Sequence, residues 1–118
     1  MMIQTVAKIQ RSAEWKKEVN DCTVRALARR IKTSYNRAHE LAEPFRKSYH
    51  KNYKTTSMLN ALGLEDHFTG ESLGKFLKNH PVGCFYVSTG RHSFVVDQNK
   101  VYDDGRKLGL NTVIKYYA

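Results

Sequence analysis

The chain has 118 residues, of which 41% are hydrophobic, enough for one domain with a modest core and too few for two. No apolar run approaches the ~20 residues of a membrane helix, and the opening MMIQTVAKIQRSAEW has no signal-peptide core, so no membrane partner and a cytoplasmic location are expected. The net charge of +9 suits an acidic or polyanionic partner, but the basic residues are scattered, as in Arg29-Arg30, Arg46-Lys47 and Lys51, which does not favour nucleic acid.

In chain order, Ile3, Val6 and Ile9 fit a short strand or an irregular lead-in, and Trp15 fits a core anchor. Asn20 and Asp21 are both good N-caps, because a short side-chain oxygen accepts from the free amides of a first helical turn. The segment CTVRALARRIK follows, with Cys22, Ala26, Leu27 and Ile31 at helical spacing and Arg25, Arg29, Arg30 and Lys32 on the other face. Thr33-Ser34 starts a second helix whose apolar stripe is Tyr35, Ala38, Leu41, Ala42 and Phe45, ended or bent by Pro44. RKSYHKNYKTT reads as loop, SMLNALGL as a short helical turn closed by Gly63, and ESLGKFLKNH as a further helix stopped by Pro81 and Gly83. The character then changes to strands: CFYVST, SFVVDQ, KVYDD and a closing NTVIKYYA. Helices first and an antiparallel sheet after them make an α+β order, with a helical half over about 20–80 and a sheet half over about 83–118 of a single domain spanning 1–118.

Chemistry concentrates on a thiol. With a cytoplasmic location expected, Cys22 and Cys84 both read as reduced. Cys84 sits in an apolar strand and reads as core. Cys22 opens a helix, where unpaired amides and the dipole favour a thiolate, and an imidazole brought beside it would favour it further. His39, His50, His67 and His80 lie in polar or helix-end settings and read as surface residues. His92 leads directly into SFVV, so its ring is held at the rim of a sheet with solvent access, as a catalytic base requires. A hairpin centred on Gln98-Asn99 sets Val96 against Val101 and Val95 against Tyr102, which puts Asp103 on the face of His92, Phe94 and Val96. A one-residue slip would hand the role to Asp104.

The runs NDCTVRALARRIKTSYNRAHELA and GKFLKNHPVGCFYVSTGRHSFVVDQNKVYDD resemble papain-like cysteine peptidases, closest to the compact C39-type peptidases and the small phage and bacterial proteins similar to them. The resemblance covers residues 18 to 106. It implies a papain-like fold, N-terminal helices packed on a small C-terminal antiparallel sheet, and a cysteine-nucleophile hydrolase or acyl-transfer enzyme. Cys22 is then the nucleophile, His92 the general base and Asp103 its orienting partner. A protein or peptide substrate is implied, and an acidic one would suit the charge; if the chain is phage-encoded, the location is the bacterial host cytoplasm. No cofactor or metal is implied. One departure stands out: the family places Gln about six residues before the Cys, and here position 16 is Lys. Asn20 and Gln10 are the available oxyanion side chains, beside the Cys22 backbone amide.

Three other readings compete. A basic, non-catalytic accessory protein could grip a host protein or nucleic acid and leave the Cys-His pair vestigial. A nucleic-acid module could use Arg25, Arg29 and Arg30 of the first helix, or stack bases on Tyr49, Tyr53, Tyr116 and Tyr117. A zinc site of Cys22, Cys84 and a histidine lacks the usual CxxC or HxxxH spacing.

Overall fold

The computed structural model describes residues 1–7, 21–46 and 53–118. Strand β1 (Met2–Gln4) precedes helices α1 (Cys22–Arg30) and α2 (Tyr35–Ala42), and α2 runs into a 3-10 turn at Glu43–Phe45. Helix α3 (Thr55–Ala61), strand β2 (His67–Phe68) and helix α4 (Leu73–Asn79) come next. Five strands complete the chain: β3 (Cys84–Ser88), β4 (Ser93–Asp97), β5 (Lys100–Tyr102), β6 (Lys107–Gly109) and β7 (Tyr116–Tyr117).

The main sheet is antiparallel in the order β2-β7-β3-β4-β5, and β1 pairs separately with β6. Alternation along β3 and β4 sorts the core into two faces. Tyr86, Val95 and Tyr102 meet the buried faces of α1, α2 and α3, whereas Val87, Phe94, Val96 and Val101 pack against Leu73 and Phe76 of α4 and against Ile114. The class is therefore mixed α and β with antiparallel sheets, as expected, but helices cover both faces of the sheet.

Local chemistry explains most boundaries. Ser34 and Ser72 cap α2 and α4 by accepting from the amides of Arg37 and Lys75. Asp21 does not cap α1 with its side chain: the buried carboxylate accepts from the Tyr35 hydroxyl at 2.9 Å and pairs with Arg25 at 3.1 Å. Gln98 and Asn99, both at positive φ, form the two-residue turn that joins β4 to β5. The hairpin register is the expected one, with Val95 against Tyr102 and Val96 against Val101.

Other expectations fail in instructive ways. Only Tyr116–Tyr117 of the closing segment forms a strand of the main sheet. His67 lies in strand β2 rather than at a helix end. His39, expected at the surface, is buried on α2 beside Tyr35, with the Arg46 guanidinium 3.5 Å from its ring. The arginines on the polar face of α1 are engaged within the molecule. Arg29 stacks over the Tyr102 ring at 3.9 Å and pairs with Asp97 at 2.9 Å, while Arg30 donates to the Ala118 carbonyl. Trp15 and Ile9 lie outside the described residues.

Leu27 is fully buried where α1 meets the sheet and the second helix. Leu27→Ala removes buried surface and leaves a cavity, so urea unfolding should show a loss of roughly 3 kcal/mol. A loss below roughly 1 kcal/mol would mean that α1 is not anchored as described.

Candidate active site

Three short segments bring the functional side chains together. Cys22 is the first residue of α1, so its N–H has no acceptor within the helix. The β3–β4 connection presents His92: Thr89 donates its amide to the His92 carbonyl at 2.9 Å, and the His92 amide donates to Thr89 Oγ1 at 3.1 Å. Gly90 lies at φ +94° in this turn, a backbone state that disfavours side chains, and a Cβ there would meet Lys115 at 3.2 Å. The third segment follows β5, where Asp103 donates its amide to the Val6 carbonyl and Thr5 donates to the Arg106 carbonyl. The N-terminal residues thus strap down the loop that carries Asp103.

The side chains converge. His92 Nε2 donates to Asp103 Oδ2 at 2.6 Å, and the Asp103 side chain is only 2% exposed. The Cys22 thiol hydrogen-bonds the same imidazole, which with Nε2 engaged leaves Nδ1 as its partner. The thiol also accepts from the Ser93 backbone amide. The Cys22 residue is half-buried and the His92 side chain 20% exposed, so the pair reaches solvent. Asp104 turns away, and its carboxylate is held by Arg106 at 2.5 to 2.9 Å. Between the two neighbouring aspartates, Asp103 is the one on the imidazole.

Electrostatics follow from this geometry. Burial alone would raise the Cys22 thiol, but hydrogen bonds from His92 and the Ser93 amide, with the charges of His92 and Arg25, outweigh it and hold the thiol below its ordinary value. His92 is raised to about 9, first by its hydrogen bond to Asp103 and then by that to Cys22, against the opposing effect of burial. Each group thus favours the charged form of the other: the imidazole stabilises the thiolate, and the thiolate with Asp103 stabilises the imidazolium. Cys84 goes the other way: burial and the nearby Asp97 raise its thiol.

Asn20 and Gln10 lie outside the described residues, so the Cys22 amide at the helix N-terminus is the oxyanion donor in view. Among the described residues no three His, Cys, Asp or Glu side chains gather to hold a metal ion, and no helix is long and apolar enough to cross a membrane. Residue-by-residue reasoning missed the Ser93 amide, the strap from Thr5 and Val6, and Arg25 as a nearby cation. Backbone donors and long-range straps leave no residue-type signal, whereas Arg25, one turn after Cys22, was open to a helical-spacing argument.

Comparison with protein-family models, curated proteins and solved structures returns no match.

Proposed function

We propose that the chain is a papain-like cysteine hydrolase or acyl-transfer enzyme acting on an amide bond of a protein or peptide. One observation carries this reading: a thiol at a helix N-terminus is hydrogen-bonded to an imidazole whose other nitrogen is held by a buried carboxylate at 2.6 Å. The Cys22 thiolate attacks the substrate carbonyl carbon, and the carbonyl electron pair moves onto oxygen, beside the Cys22 amide. The intermediate collapses with cleavage of the C–N bond, and the His92 imidazolium gives its proton to the departing nitrogen. Neutral His92 then takes a proton from water, whose oxygen attacks the thioester, and the thiolate leaves to complete hydrolysis. Asp103 keeps the imidazole oriented and favours its charged form throughout. The fold also supports the papain-like reading, since a helix carrying the thiol packs on an antiparallel sheet bearing the histidine and the aspartate.

The nucleic-acid reading of α1 loses support from the same helix. Arg25 is paired with Asp21, Arg29 with Asp97, and Arg30 with the Ala118 carbonyl, so these side chains are committed within the molecule.

Turnover of a quenched-fluorescent peptide library, at neutral pH under reducing conditions, tests the proposal. Cleavage is expected from the parent chain and none from Cys22→Ala. The rate should follow a bell-shaped pH profile whose acid limb is the Cys22 thiol and whose alkaline limb lies near the His92 value of about 9. A library left intact by the parent protein, or cut equally by Cys22→Ala, would remove the enzymatic reading and leave a basic binding protein.

A further inference from the structure

The residues that follow the thiol and the imidazole in the chain belong to a second, buried set of hydroxyls. Tyr86, on the central strand β3, is 0% exposed, and its phenol donates to Ser93 Oγ at 2.7 Å. The same phenol hydrogen-bonds the Thr23 hydroxyl. A phenol has one proton, so with that proton on Ser93 the Thr23 hydroxyl is the donor to Tyr86. Thr23 and Ser93 are themselves buried. Their positions in the chain give the arrangement its meaning: Thr23 directly follows Cys22, and Ser93 directly follows His92 and offers its amide to the Cys22 sulfur.

We infer that Tyr86 is a positioning residue, whose hydroxyl ties the residue after the thiol to the residue after the imidazole and so sets the separation of Cys22 from His92 and the Ser93 amide. The inference rests on the Cys22–His92 reading of the site. α1 and β4 are far apart in sequence, and apolar packing between Leu27, Val24 and Val95 tolerates small slides that hydrogen bonds to the thiolate do not. A hydroxyl that bonds both elements beside the reacting atoms removes that freedom. Burial also raises the phenol well above its ordinary value, so it remains a protonated donor over the whole working range. A buried tyrosine that merely satisfies its hydroxyl would add stability without affecting Cys22.

Tyr86→Phe keeps the ring and removes only the link. Alkylation of Cys22 by iodoacetamide, followed from about pH 4 to about pH 9 with Cys84 as the internal reference, reads the thiol directly. Tyr86→Phe is expected to raise the Cys22 pKa, which lowers its thiolate fraction and cuts its alkylation rate at least about threefold on the acid side. Cys84 should be unchanged. If Tyr86→Phe does not fold, Ser93→Ala tests the same link, and Ser93→Thr, which retains a hydroxyl, should restore the parent profile. A Cys22 profile within about twofold of the parent in a folded variant, even one that melts earlier, overturns the positioning role. If the parent Cys22 itself titrates like an ordinary thiol, the underlying reading of the site fails, and the positioning role with it.

Discussion

At pH 6, iodoacetamide is expected to alkylate Cys22 at least about tenfold faster than Cys84, and His92→Ala should abolish most of that advantage. An ordinary thiol with a pKa of 9.0 is almost entirely protonated at that pH, and Cys84 is shifted further in the same direction by burial and Asp97. Cys22 is shifted the opposite way by His92 and the Ser93 amide. A thiolate of lower pKa is intrinsically a weaker nucleophile, but on a logarithmic scale that effect offsets only about half of the gain in thiolate population. Without the imidazole, only the Ser93 amide and the Arg25 charge oppose burial, and the Cys22 rate should fall about tenfold. Peptide mapping by mass spectrometry separates the two cysteines. Similar rates at Cys22 and Cys84 in the parent chain would dismantle the assignment of a nucleophile.

Asp103→Asn is expected to reduce peptide turnover on the order of a hundredfold or more, while Asp104→Asn changes it no more than about threefold. The asparagine can still accept from His92 Nε2 but no longer supplies a negative charge. His92 should then titrate well below its parent value of about 9, towards the ordinary 6.5, and the alkaline limb of the activity profile should move with it. The same titration is visible in stability. Because the folded-state value of His92 is raised, its contribution is full below 6.5 and is lost as pH rises through about 9, and Asp103→Asn should flatten that fall. An NMR titration of the His92 ring, with urea unfolding at several pH values, gives both readouts. A His92 titration unchanged in Asp103→Asn, or equal losses from the two aspartate variants, would mean that the carboxylate at 2.6 Å does not govern the imidazole.

The candidate site was legible to an unusual degree because its parts obey short-range rules. Helical spacing after Asn20-Asp21 placed Cys22 at the start of α1. The alternation of a two-residue hairpin put Asp103, rather than Asp104, on the face of His92. His39 was misread because its polar neighbours said nothing of the Tyr35 and Arg46 side chains that enclose it. Strand β6 was hard to see for a related reason: it has three residues, and it pairs with β1, about a hundred positions away in the chain. Helical spacing put the arginines of α1 on its polar face, but Asp97 and Tyr102 are positioned to receive one of them only once the sheet has formed.

Residue order was thus sufficient for the class of fold, the helix bearing the thiol, the hairpin register and the identity of the three candidate side chains. Folding in three dimensions settled whether they meet, which nitrogen of His92 each partner takes, and how the thiol and imidazole are shifted. The physical reason is one of range. Helical and strand periodicities repeat within a few residues and can be counted along a chain. A hydrogen bond or a charge effect depends on ångström separations between elements some seventy residues apart, and packing alone fixes those.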